Sequence, residues 1–252
     1  MTLKFPLVGA HTGGGAAPDN TLESFWEGVQ SGADIVEIDL RATADGTAVL
    51  LHDASPLLRQ NTYEQLNRLE NRIQLSPVYE HRDVVKLDHI LDIAKQQSIK
   101  LNLDIKNEEA VAPAMECVLR HGMENQVFVT GCSTGIAGNY KGIRVVYNTP
   151  DELSEADIAD YGVFAQRICD EALQYGVYGL NMDYRTCRRE LVEAAHERQL
   201  AVWVYTVNAA DELKRYIGMG VDAITTRRPL ALLELSRRPG DNGTECPCPA
   251  HR

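Results

Sequence analysis

The chain reads as an α/β protein on a (β/α)8 TIM barrel. Three observations predict it: short apolar runs alternate with longer helical patterns, eight such runs occur along the chain, and two of them carry polar or charged residues at alternate positions. A length of 252 residues fits a single barrel. The predicted strands span residues 6–10, 35–40, 100–105, 126–130, 143–147, 179–182, 201–205 and 222–225. A doubly wound open sheet shares this alternation and is the structural alternative, but eight strands with helical crossovers favour closure.

The helices between the strands carry local punctuation. Asn20-Thr21 precedes the first helix, Gly122 follows the helical stretch 107–121, and Gly218 and Gly220 close the helix that begins near Ala209. Two segments break the rhythm. Asp45-Gly46 reads as a tight turn into an extra strand over 47–51, which ends at His52. Residues 54–86 are polar and partly helical, a short excursion over the barrel mouth. The barrel domain is therefore expected over 1–236, followed by a tail, 237–252, rich in Pro, Gly and polar residues and expected to be disordered.

Hydrophobic residues at 44% and charged residues at 24% suit a soluble protein with a sizeable core. A formal net charge of −11 repels polyanions and argues against nonspecific binding to nucleic acid or to an anionic membrane surface. A small anionic substrate is compatible with that field if a local positive centre receives it, and a bound metal ion is the usual source. No apolar run is long enough to span a bilayer, and Met1-Thr2-Leu3-Lys4-Phe5-Pro6 lacks the apolar stretch of a signal peptide, so a cytoplasmic location is expected. Cys117, Cys132, Cys169 and Cys187 are scattered and read as free thiols. Cys246 and Cys248, with His251, offer too few ligands for a closed zinc tetrahedron.

The strand Ile35-Val36-Glu37-Ile38-Asp39-Leu40 is the most informative. Alternation puts Glu37 and Asp39 on one face and Val36, Ile38 and Leu40 on the other. In a barrel the apolar face meets the helices, so both carboxylates point inward near the C-terminal end, where barrel active sites lie. A half-exposed antiparallel strand would show the same alternation. The strand Leu101-Asn102-Leu103-Asp104-Ile105-Lys106 repeats it, with Asn102, Asp104 and Lys106 on one face. Three clustered carboxylates repel one another unless a cation neutralises them, and all-oxygen ligands select a hard ion: Mg²⁺ or Ca²⁺, with Mn²⁺ admissible.

His11 falls just past the first strand and His52 at the end of the extra strand, on the same side as the carboxylates. Imidazole exchanges protons near neutral pH, which suits a general acid and base pair. His81, His89, His121, His196 and His251 lie on predicted helices, loops or the tail without a carboxylate cluster beside them and read as surface or structural groups.

In order along the chain stand His11, Pro18-Asp19-Asn20-Thr21, Glu37-Ile38-Asp39, Asp45-Gly46, His52-Asp53, Asp104-Ile105-Lys106, Tyr205-Thr206-Val207-Asn208 and Thr226-Arg227-Arg228-Pro229. This series resembles the glycerophosphodiester phosphodiesterase family. The family's pattern runs His-Arg-Gly, Pro-Glu-Asn-Thr, Glu-x-Asp, Asp-Gly, His-Asp, Glu-x-Lys, Trp-Thr-Val-Asn and Thr-Asp-Arg-Pro. The resemblance implies a phosphoric diester hydrolase that cleaves a small-molecule phosphodiester. It also implies Glu37, Asp39 and Asp104 as ligands of one divalent cation, His11 and His52 as the acid/base pair, and Lys106 as a phosphate contact.

Thr12 stands where the family has Arg directly after the first histidine, Asp104 where it has Glu, and Tyr205 where it has Trp. Thr cannot supply the bidentate fork of Arg, and the glycine run Gly13-Gly14-Gly15 reads either as a flexible stretch or as a nest of backbone N–H groups for an anion in its place. Thr12, Gly13 and Tyr205 thus join Lys106 as expected substrate contacts, and a changed headgroup is the inference. Hydrolysis by water, a cyclising lyase or transferase reaction on a sugar or sugar-alcohol phosphodiester, and a non-catalytic barrel that binds a phosphorylated ligand all remain open. The sequence does not set the oligomeric state.

Overall fold

A computed structural model describes residues 5–133 and 135–236. The predicted tail, with Cys246, Cys248 and His251, lies outside them.

Nine strands form one sheet: β1 (Leu7–Ala10), β2 (Ile35–Ala42), β3 (Ala48–Leu50), β4 (Lys100–Ile105), β5 (Val127–Gly131), β6 (Arg144–Asn148), β7 (Gly179–Asp183), β8 (Ala201–Tyr205) and β9 (Ala223–Thr226). Every strand but β3 pairs in parallel with its neighbours, and β1 pairs with both β9 and β2, so the ring is closed. This is the expected (β/α)8 barrel. β3 lies antiparallel on the outer end of β2, through Leu40↔Leu50, Arg41↔Val49 and Ala42↔Ala48. That hairpin carries β2 beyond the barrel rim, which is why the strand runs longer than its apolar pattern suggested.

Side-chain alternation sorts the strands as expected. Val36, Ile38, Leu40, Leu101, Leu103 and Ile105 pack outward against helices such as Leu87–Gln97 and Val111–His121. Inside the ring, Ile35, Phe128, Val146, Trp203 and Ala223 form a small apolar plug. Phe128 and Trp203 meet with ring centroids 4.7 Å apart, and the plug closes the barrel beneath the mouth.

The first helix, Leu22–Gln30, starts at Thr21, whose hydroxyl accepts from the Ser24 N–H while the Ser24 hydroxyl accepts from the Thr21 N–H. Gly122 and Gly220 end their helices in the left-handed conformation, whereas Gly218 lies inside the Ala210–Met219 helix. The excursion holds three short helices, Pro56–Gln60, Tyr63–Leu66 and Leu69–Leu75. Its scattered apolar residues Leu58, Leu66, Tyr79 and Val84 gather with Val49 and Leu51 into a satellite core that docks the segment on the β3 hairpin. Among the described residues, no helix is long and apolar enough to cross a membrane.

Candidate active site at the barrel mouth

Register delivers the carboxylates. Because β2 and β4 are neighbours with Glu37↔Asn102 and Asp39↔Asp104 in step, the two strands set Asp39 and Asp104 side by side, with Glu37 one layer deeper. One oxygen from each of Glu37, Asp39 and Asp104 lies within 4.8 Å of the others. Glu37 is 5% exposed and Asp39 2%. Burial, then the charges of Asp39 and Asp104, hold the Glu37 carboxyl well above the usual carboxylate range. Such a cluster lacks positive charge, and its all-oxygen donor set fits a hard divalent cation.

Part of that charge comes from Lys106. Its ammonium lies 2.7 Å from Asp39 Oδ1 and also donates to Asp104 Oδ2. Burial works against the ammonium, but Asp104 and Asp39 outweigh it and push the Lys106 pKa up. The Thr130 hydroxyl donates to Asp104 Oδ1 at 3.0 Å. Gly131, at φ 74°, lets β5 pass beneath: a Cβ there would lie 2.2 Å from the Ile105 carbonyl oxygen and 2.6 Å from Asp104 Oδ1.

Asp39 is held by Asn20. The Asn20 amide donates to Asp39 Oδ2 at 2.7 Å, and Asn20 Oδ1 accepts from the Asp39 N–H at 3.0 Å. Asn20 is 3% exposed and sits at φ 59°, a left-handed conformation that Asn tolerates better than most residues. Its neighbour Asp19 takes a bidentate fork from Arg227, at 2.9 and 2.6 Å. Sequence reasoning placed Asn20, Asp19 and Arg227 in motifs but gave none of them a role at the site. The Pro18-Asp19-Asn20-Thr21 motif was the available signal, but its partners lie 19 and 208 residues away.

The two histidines differ. His11 starts a single 3-10 turn after β1, and burial first, then Arg227, lowers its pKa below the ordinary histidine value against the opposing pull of Asp39 and Asp19. That shift favours the neutral imidazole. His52 stands at the rim, its side chain 64% exposed, with Nδ1 2.8 Å from Asp53 Oδ1. Both line a polar cavity of about 310 Å³ with Glu37, Asp104, Lys106 and Tyr205. The Tyr205 hydroxyl donates to Asp151 at 2.6 Å, and Asn148 and Asn181, joined at 2.9 Å, complete the opposite wall.

Neither Thr12 and Gly13 nor Arg227 is among the residues lining this cavity. Thr12 is 2% exposed and its N–H donates to Glu37 Oε2 at 2.8 Å. Gly13 is pressed under the first helix, where a Cβ would fall 1.8 Å from the Ser24 carbonyl oxygen. The glycine run thus serves packing, with the Thr12 N–H spent on a carboxylate. Among the remaining histidines, His121 does have acidic neighbours, Asp88 and Asp92 at 3.7 and 3.4 Å, correcting the expectation. Packing of the Leu87–Gln97 and Val111–His121 helices makes that contact, which spacing along the chain does not reveal. His196 likewise pairs with Asp222 at 2.9 Å.

A family model described as the glycerophosphoryl diester phosphodiesterase family matches residues 11–231. A glycerophosphodiester phosphodiesterase of Caldanaerobacter subterraneus is 24% identical, over 93% of this chain and 99% of its own. One from Bacillus altitudinis is 26% identical over 87% and 94%. Among solved structures, an Oleispira antarctica phosphodiesterase in complex with the product sn-glycerol-3-phosphate superposes with a TM-score of 0.73 at 21% identity, covering 91% of this chain and 96% of its own.

Proposed function

The chain belongs to the glycerophosphoryl diester phosphodiesterase family, and on that premise we propose that it hydrolyses a small glycerophosphodiester at the barrel mouth, with His11 and His52 as base and acid. The observation that carries this reading is the meeting of Glu37, Asp104, Lys106 and both histidines around one polar cavity, with buried Asp39 completing the carboxylate cluster behind them.

Glu37, Asp39 and Asp104 would hold the divalent cation, Mg²⁺ or Ca²⁺ by their oxygen chemistry, with Mn²⁺ admissible. When bound, such an ion draws in the phosphate anion and stabilises charge on its nonbridging oxygens. Lys106, already among the carboxylates, supplies a second positive contact to the same oxygens. His11, held neutral, takes the proton of the attacking hydroxyl as that oxygen bonds to phosphorus. His52, oriented through Nδ1 by Asp53, gives a proton to the alkoxide that departs as the second P–O bond breaks. Tyr205 lies across the cavity, where its hydroxyl meets the alcohol portion of the substrate.

The test is ³¹P NMR of purified protein with glycerophosphocholine, glycerophosphoethanolamine and glycerophosphoinositol, each with Mg²⁺, Ca²⁺ or Mn²⁺. Release of a phosphate monoester is expected, and a persistent cyclic phosphate would instead identify a neighbouring substrate hydroxyl as nucleophile. Inactivity on every diester with every metal contradicts the proposal.

A further inference from the structure

The phosphate of a diester carries a negative charge into a chain of net charge −11, yet the mouth has few cations to meet it. Lys106 is engaged by Asp39 and Asp104. Position 12, where the family's pattern has Arg, holds a buried Thr. A guanidinium nevertheless stands beside His11. In the parallel pairing of β1 with β9, Ala10 is in step with Thr226, so the next residues, His11 and Arg227, leave the barrel side by side. The family's Thr-Asp-Arg-Pro segment reads Thr226-Arg227-Arg228-Pro229 here: the chain lacks Arg at position 12 and carries one at 227, where the pattern has an acid.

Arg227 is held for use. Its N–H donates to Asn208 Oδ1 at 2.9 Å, which fixes its backbone. The Asp19 fork fixes the guanidinium plane, and the side chain remains 45% exposed. A guanidinium has more N–H donors than a bidentate carboxylate uses, so others remain for a second anion. The two loops are pressed together, since a Cβ on Gly14 would lie 3.3 Å from the Thr226 carbonyl oxygen and 3.1 Å from Pro229 Cδ. That close contact keeps Arg227 in fixed relation to His11.

We propose that Arg227 makes the guanidinium contact to the substrate phosphate that the family's pattern assigns to the residue after the first histidine, with Asp19 aiming it. This rests on the reading of the mouth as a phosphodiester site. The arginine is thus supplied from the opposite end of the chain, across the seam where β1 meets β9.

The experiment titrates sn-glycerol 3-phosphate calorimetrically into the divalent-ion-loaded wild type and Arg227→Met, and measures divalent-ion affinity and Tm of both. Loss of one charge-assisted contact should weaken glycerol 3-phosphate binding about 10- to 100-fold. Ion affinity should stay within about twofold and Tm within about 3 °C, because an exposed ion pair adds little to stability. Binding by Arg227→Met within about twofold of wild type overturns the proposal, and so does a loss matched by an equal loss of ion affinity, which marks a structural role. Turnover of diesters by the wild type is scored separately. Wild type that binds glycerol 3-phosphate without cleaving any diester contradicts the hydrolase reading while the variant still decides on Arg227; wild type that does not bind it contradicts both.

Discussion

Replacing Asn20 with Ala removes a clamp and should be costly well beyond the loss of one polar side chain. Two bonds go: the amide to Asp39 Oδ2 at 2.7 Å, and the acceptor for the Asp39 N–H at 3.0 Å. The first is a hydrogen bond to a charged group, worth about 1.5–3 kcal/mol. The second leaves a buried donor without its partner, about 1–3 kcal/mol. Position 20 is also left-handed at φ 59°, which costs Ala about 1 kcal/mol more than it costs Asn. These contributions overlap, and about 3–5 kcal/mol is the expected total. For a chain of this size that corresponds to a Tm lower by about 6–20 °C. Asn20→Gly removes the same bonds without the backbone strain and should recover about 1 kcal/mol. Because Asp39 loses its orientation, divalent-ion affinity should fall about 10- to 100-fold in both variants. Thermal unfolding followed by circular dichroism, paired with ion titration, measures both effects. Asn20→Ala with a Tm within about 2 °C of wild type, or with unchanged ion affinity, would refute the clamp.

Glu37 gives a pH signature. Its folded carboxyl lies above the ordinary range because of burial and then Asp39 and Asp104, so without metal its ionisation penalises the fold as pH rises through that raised value and is harmless below the unfolded value near ~4.3. In EDTA, Glu37→Gln should therefore gain on wild type in urea unfolding between pH 5 and pH 8, and a pH-independent difference would count against the cluster. Gly131→Ala should lose about 2–4 kcal/mol and disturb Asp104, since the new Cβ meets the Ile105 carbonyl at 2.2 Å; an unchanged unfolding midpoint opposes this. If neutral His11 is the base, kcat/KM should fall on the acid side only below about pH 6.5, whereas a limb centred above that value argues for another base.

The barrel was legible because a closed parallel sheet imposes alternation on each strand separately. Val36, Ile38 and Leu40 against Glu37 and Asp39 announce two faces within six residues, and β4 repeats the pattern in register. Three carboxylates, Lys106 and the histidines could therefore be assembled from local pattern and strand order. Contacts that depend on closure could not. Arg227 meets Asp19 only because β9 pairs with β1, and no spacing between residues 19 and 227 encodes that. Asn20 reads as part of the start signal of the first helix, and its grip on Asp39 needs the loop after β1 to fold over the end of β2. Thr12 and Gly13 show a related dependence: a glycine run signals a tight backbone approach, but whether to a ligand or to a helix depends on what lies above it. Here it is Ser24.

Carboxylates and histidines at this mouth are proposed to act together on a phosphodiester. One ³¹P time course tests it, on a glycerophosphodiester cleaved by the wild type, with wild type, His11→Ala and His52→Ala run alongside wild type in EDTA. Monoester release by the metal-loaded wild type, its loss in EDTA, and rates lower by about 10²–10⁴ in each histidine variant with Tm preserved are expected. Monoester release that persists at the wild-type rate in EDTA or in either variant would contradict it.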